Sequence, residues 1–179
     1  MRHRFPAGLA LAGFVLAVHV VSAEQPQAPM PAPELKQIAV FEGSWTCDGA
    51  TKESPFGPAG KMSSTADIKR DLDGHFQSGV IRSAMGPMQF EGRFYVTYDP
   101  GAKQFVMLWV DSMGGWARST SAGWKGDTIT YEGESHMGGQ SMKTRDHFTR
   151  SGTSMLKHTS DMHAEGKWMT MMEETCRKK

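Results

Sequence analysis

Turn-forming pairs recur along this chain at nearly regular intervals, and that spacing restricts the fold more than any other feature. Asp73-Gly74, Asp99-Pro100-Gly101, Gly114-Gly115, Gly126-Asp127, Gly138-Gly139, Ser151-Gly152 and Glu165-Gly166 can each supply the positive or preset φ that a tight hairpin needs. Between them lie runs of roughly eight to eleven residues with alternating polarity, rich in Thr, Phe, Val, Tyr and Trp. The pattern predicts about ten strands, at 43–51, 61–72, 75–83, 88–98, 104–112, 116–124, 128–136, 140–150, 153–163 and 167–177, with eight or nine as the alternative count. No helical crossover long enough for parallel strands occurs, which excludes a doubly wound fold. Because almost every connection is a short hairpin, an all-β, antiparallel up-and-down β-barrel is expected ahead of an open sandwich, which generally needs long Greek-key crossings.

The ends of the chain bear on compartment. Met1-Arg2-His3-Arg4 is basic, residues 5–21 are almost wholly apolar, and Val21-Ser22-Ala23 has the small residues that a signal peptidase reads. Residues 1–23 therefore read as a signal peptide cleaved after Ala23, which places the protein in the periplasm or outside the cell. The alternative, an uncleaved membrane anchor, has a short apolar run against it. With no Cys just after the cleavage point, a lipoprotein is disfavoured. Residues 24–33 (EQPQAPMPAP) read as a Pro-rich, extended linker. Residues 34–41 (ELKQIAVF) carry helical spacing at Leu35, Ile38 and Phe41 and predict a short N-terminal helix over the barrel's mouth. The rest, 34–179, is one barrel domain. A net charge of +1, with the basic residues scattered among acids, gives no nucleic-acid footprint, and the mature form is expected off the membrane.

Two cysteines occur, Cys47 and Cys176. If the chain closes into a meander barrel, its first and last strands are neighbours and these positions lie side by side. An oxidising compartment then favours a disulfide, with two separate buried thiols as the alternative.

The stretches Phe90-Glu91-Gly92-Arg93-Phe94-Tyr95-Val96-Thr97-Tyr98-Asp99-Pro100 and Trp109-Val110-Asp111-Ser112-Met113-Gly114 are more specific. With Gly43-Ser44-Trp45 at the first strand, and Gly123 followed by Gly126-Asp127 and Thr130, the chain resembles the bacterial DUF1579 family, of unknown function, grouped with the lipocalin-like (calycin) superfamily. The resemblance runs from Leu35 to the C-terminus. It implies a barrel with an internal cavity, and no established activity.

Strand alternation suggests which side chains face inward. Phe90, Phe94, Val96 and Tyr98 form one apolar set around Gly92. By the same test Phe76 and Val80 carry Arg82 inward, Met142 and Phe148 carry Asp146 inward, and Leu156 and Met162 carry His158 inward. Arg82 with Asp146, and His158 beside them, would form a polar anchor in an apolar pocket; a parity slip at a bulge would instead put them in solvent. Trp45, Trp109 and Asp111 complete the candidate lining. The strand holding Phe105, Met107 and Trp109 is apolar on both faces, so a second subunit, the helix or a ligand is expected to cover one of them, and a homodimer is one expectation.

Twelve of the 14 methionines lie in the barrel region, including Met169, Met171 and Met172 on the last strand. Thioether and imidazole ligands would suit copper(I), but no compact Met or His cluster repeats, and a flexible core filler is the plainer reading. Haem is a second metal reading that the resemblance to the calycins implies, since its nitrobindin-like members hold haem through a histidine on a late strand; His158 and His163 would be weak candidate ligands here. No nucleophile elbow, zinc-spaced Cys/His set or phosphate loop occurs, and Glu173-Glu174 and Asp71 with Asp73 read as solvated strand-end acids, so nothing argues for an enzyme. The expectation is an exported barrel holding a small apolar molecule of unknown identity. The competing class is a structural or interaction barrel filled by its own side chains, and a cavity discriminates the two.

Overall fold

The structure, a computed structural model, describes residues 29–54, 57–85 and 88–179. The expected signal peptide and the first part of the Pro-rich linker lie outside them.

A 3₁₀ helix, Pro33–Phe41, precedes eleven strands: β1 Gly43–Thr51, β2 Gly60–Asp71, β3 Phe76–Met85, β4 Met88–Asp99, β5 Gln104–Asp111, β6 Trp116–Ser121, β7 Trp124–Lys125, β8 Thr128–Met137, β9 Gln140–Ser151, β10 Met155–Ala164 and β11 Lys167–Lys178. All pairings are antiparallel and follow the chain except two. β1 pairs with β11, and β6 pairs with β8, which closes ten strands into a barrel and leaves β7 as a two-residue stub on β8.

The stub corrects the reading of 116–124 as one strand. Gly123 takes φ +100°, a conformation that ends a strand at little cost only for glycine, and its N–H is held by Ser121 Oγ at 3.1 Å. The chain therefore leaves the sheet at Ser121, and β8 pairs directly with β6.

The N-terminal helix is 3₁₀ throughout, for a reason visible in its sequence. Leu35, Ile38 and Phe41 are spaced by three, and in a helix of three residues per turn they form one straight apolar row. That row is buried against Trp45, Val96, Phe105, Ile129 and Leu156. Four side chains satisfy the helix's carbonyls: Trp45 Nε1 donates to Phe41 O (2.8 Å), Gln77 Nε2 to Ile38 O (3.0 Å), Trp124 Nε1 to Gln37 O (2.9 Å) and Lys178 Nζ to Val40 O (3.4 Å). Phe41 also stacks on Trp124 and meets Phe148 edge-on. The segment is a fixed plug in one end of the barrel.

Cys47 on β1 stands directly opposite Cys176 on β11, and the two are joined by a disulfide. The seam between the first and last strands is thus covalent.

The ladder between β10 and β11 carries a bulge. Its register runs Ser160↔Met172 and then Asp161↔Thr170, so Met171 is an extra residue. The bulge resets the alternation of β11. On the outer wall beside it, Asp161 accepts from Arg145 Nε (2.8 Å) and Thr170 Oγ1 (2.9 Å), with His147 at 3.4 Å. Burial alone would raise the Asp161 carboxyl's pKa, but these donors and the Arg145 charge hold it below the usual range.

Candidate functional site

Above the plug the barrel encloses a cavity of about 420 Å³. Its lining is buried at the helix end, at Phe41, Trp45, Val96, Tyr131 and Leu156, and only half-buried at the other end, at Met62, Phe90, Asp111, Ser135 and Met172. The mouth is therefore formed by the hairpins opposite the helix, and the helix forms the floor.

The aromatic wall rests on two glycines. A Cβ at Gly79 would overlap the Phe94 ring, and one at Gly92 would overlap the Trp109 indole, so each ring lies flat across the neighbouring strand. Trp109 is also stacked near-parallel with Phe90, centroids 6.2 Å apart, and its Nε1 donates to Asp111 Oδ2 at 3.0 Å. Asp111 is itself set by the β5–β6 turn, where its Oδ1 accepts from the amides of Met113 and Gly115, each at 2.9 Å. A turn carboxylate thus orients a cavity-wall tryptophan. Gly92→Ala should cost roughly 1–3 kcal/mol, since the added methyl must displace the indole. Urea titration with tryptophan emission as the probe checks this, and an unchanged midpoint would mean that the ring is not held.

Facing this wall is a charged cluster. His158 Nε2 lies 3.0 Å from Asp146 Oδ1, and its Nδ1 lies 3.1 Å from Glu174 Oε1, while Ser64 Oγ donates to Glu174 Oε2 at 3.0 Å. The imidazole also stacks on Phe148, centroids 4.3 Å apart. Burial by itself would push the imidazole toward its neutral form, but hydrogen bonds to Asp146 and Glu174, together with their charges, more than offset it and lift the His158 pKa to about 9. At neutral pH it is an imidazolium between two carboxylates. Burial raises the pKa of the Tyr131 hydroxyl, near the floor, so it stays neutral.

Trp45, Phe94, Trp109, Asp111, Asp146 and His158 all line this cavity. Tyr98 does not; it packs edge-on against Phe105, centroids 5.2 Å apart, and against the core at the helix end. Arg82 is a correction. It stands on the outer wall, its side chain 53% exposed, paired with Glu91 (3.1 Å) and Asp67 (3.8 Å). The inward row of β3 is Gln77, Ile81 and Ser83, one residue out of step with the expectation. Phe76 and Val80 misled because β3 mixes apolar and polar residues on both faces, Phe76 and Val80 with Arg82 on one and Ile81 with Gln77 and Ser83 on the other, and Phe76 meets Tyr95 outside, edge-on. Asp146 is therefore partnered by His158 and not by Arg82.

Glu174 is a second correction. Of the adjacent pair, Glu173 faces out to Lys52 and Lys157, at 3.1 and 3.3 Å, whereas Glu174 faces in, its side chain 10% exposed. The signal was available, since Glu174 shares the inward parity of Cys176 and faces His158, but the adjacent acids read as a solvated strand end; the Met171 bulge, on the other side of Met172, turns Met172 into the cavity.

The metal candidates fare poorly on geometry. Both ring nitrogens of His158 are taken by carboxylates, so neither is a lone-pair donor for a haem iron. His163 is absent from the cavity lining and meets Trp168 edge-on. Donor atoms of Cys47, Glu174 and Cys176 lie within 4.8 Å of one another, but both sulfurs are in the disulfide. On the outer wall, Tyr95, Leu108, Val110 and Trp116 of β4, β5 and β6 form an exposed apolar row.

Residues 30–178 match the sequence profile of a family described as a protein of unknown function, DUF1579. No curated protein matches the chain. Among solved structures, the chain is similar to the crystal structure of Rv2717c from M. tuberculosis, with a TM-score of 0.63 at 13% identity, over 84% of this chain and 99% of that one. A DUF3598-family protein of unknown function from Nostoc punctiforme aligns at 13% identity and a TM-score of 0.37, over 90% of this chain and 54% of that one.

Proposed function

The chain belongs to the DUF1579 family of proteins of unknown function, and from that premise we propose that it is an exported binding protein that holds a small, largely apolar molecule inside its barrel. The observation that carries this reading is the cavity itself. A barrel filled by its own side chains would bring Phe94, Trp109 and His158 together; instead each is held back against its own wall, on Gly79, on Gly92 with Phe90, and on Phe148. About 420 Å³ of space with aromatic and aliphatic walls and a few convergent polar groups is the usual composition of a small-molecule site. The disulfide at the β1–β11 seam supports the exported part of the reading, because such bonds persist in oxidising compartments.

The neutral fluorophore N-phenyl-1-naphthylamine tests the reading. Saturable, blue-shifted emission at one probe per chain is expected, with affinity on the order of micromolar. Ala117→Trp, which projects an indole into the cavity from β6, should abolish the signal while the far-UV circular dichroism stays unchanged. Equal emission from the filled and open barrels would place the probe on the surface and overturn the proposal.

A further inference from the structure

The charge of the cavity narrows what it can hold, and this step rests on the binding reading above. Asp111, Asp146 and Glu174 line it, and among the described residues that form it His158 is the only basic side chain, with no Lys or Arg. Three carboxylates against one imidazolium leave an excess of negative charge in a space whose remaining walls are mainly apolar. His158 is already committed to Asp146 and Glu174. Among the described residues, the carboxylate of Asp111 has only neutral donors, Trp109 Nε1 and two backbone amides.

Two unspent polar atoms face the same space. Ser83 is 7% exposed, and its Oγ is the one buried side-chain polar atom among the described residues without a hydrogen-bond partner. An unpaired buried hydroxyl is unfavourable, so such an atom marks where an occupant would bond. It also stands in a particular place. Across the sheet Ser83 is opposite Ser64, which donates to Glu174, and on its other side it is opposite Phe90, which stacks with Trp109. Asp146 uses Oδ1 for His158, and no described protein donor meets its Oδ2.

The geometry points to a protonated amine on an apolar body as the ligand class of this cavity, the ammonium meeting the Ser83 hydroxyl and the surplus carboxylates while the body lies along Phe90, Phe94 and Trp109. An ammonium can donate to the unpaired acceptors, its charge offsets the excess of carboxylates, and the Trp109 and Phe90 faces attract a cation. A fatty acid meets the opposite conditions. Its carboxylate would enter a space of its own sign in which the one cation is already shared by two acids, and unpaired burial of that charge is strongly unfavourable. A neutral alcohol fits the apolar walls and Ser83 but leaves the excess charge uncompensated.

Three ligands of equal chain length separate these cases on the wild-type protein: decylammonium, 1-decanol and decanoate, titrated by isothermal calorimetry at neutral pH below their micelle concentrations. Decylammonium should bind about tenfold or more tightly than decanol, and decanoate more weakly than either. If decanol equals decylammonium, or decanoate binds best, the amine assignment is overturned while the apolar-binding reading stands. If none of the three binds, both fall.

Discussion

Replacing His158 with Phe should remove roughly 3–5 kcal/mol of folding stability at neutral pH, the cost typical of breaking a buried ion pair from one side. The phenyl ring can keep the stacking on Phe148, so the loss isolates charge. With the imidazolium gone, Asp146 and Glu174 face each other across an apolar space with no cation between them. Adding Asp146→Asn and Glu174→Gln in the same chain should recover most of the loss, since a neutral cluster needs no counter-ion. Urea unfolding of the single and triple variants measures both; a loss under about 1 kcal/mol for the single change would mean that the triad does not hold this wall.

The same group makes stability depend on pH with a defined sign. His158 titrates at about 9 in the folded protein and near its ordinary value, about 6.5, once unfolded. Because the folded value is the higher one, the contribution is fully present below pH 6.5, declines as pH rises from there, and is lost above pH 9. A shift of that size corresponds to roughly 3 kcal/mol. The gap in stability between wild type and His158→Phe should therefore narrow across that interval. A constant gap would assign the effect of the substitution to packing.

The second large effect belongs to the seam. Cys47→Ser opens a cross-link between residues 129 apart in sequence, and the loop-entropy treatment assigns such a closure about 4–5 kcal/mol, less any strain. Under non-reducing conditions the variant should unfold at correspondingly lower denaturant. Once both proteins are fully reduced in denaturant and refolded with excess dithiothreitol, their stabilities should agree to within about 1 kcal/mol. A deficit that persists after reduction would show that the serine hydroxyl in a buried strand pair, and not the lost cross-link, causes it.

The strands were legible because each is bounded by a turn that only a few residue types can make. β1 runs over the residues expected, Gly43–Thr51, and most others agree to within two residues. The cavity lining was legible where one face of a strand is clearly more apolar, as in β4 with Phe90, Phe94 and Val96. Elsewhere alternation could not decide. β3 mixes apolar and polar residues on both faces, so nothing local fixes which of Arg82 and Ser83 points inward. β11 carries an extra residue at Met171, and a single insertion exchanges inner and outer faces across it, so alternation carried from its start would point Met172 outward; Glu174, which keeps the parity of Cys176, was hidden because two adjacent acids read as a solvated strand end.

What the sequence determined by itself is therefore the hairpin order, a strand count near ten and the apolar row at Leu35, Ile38 and Phe41, because turn chemistry and residue period are local properties. Closure brought the rest into being. The meeting of β6 with β8, the opposition of Cys47 and Cys176, the plug seated on Trp45 and the His158 triad each join residues far apart in the chain. Their partners are chosen by register around a ring, a quantity that no local stretch of sequence contains.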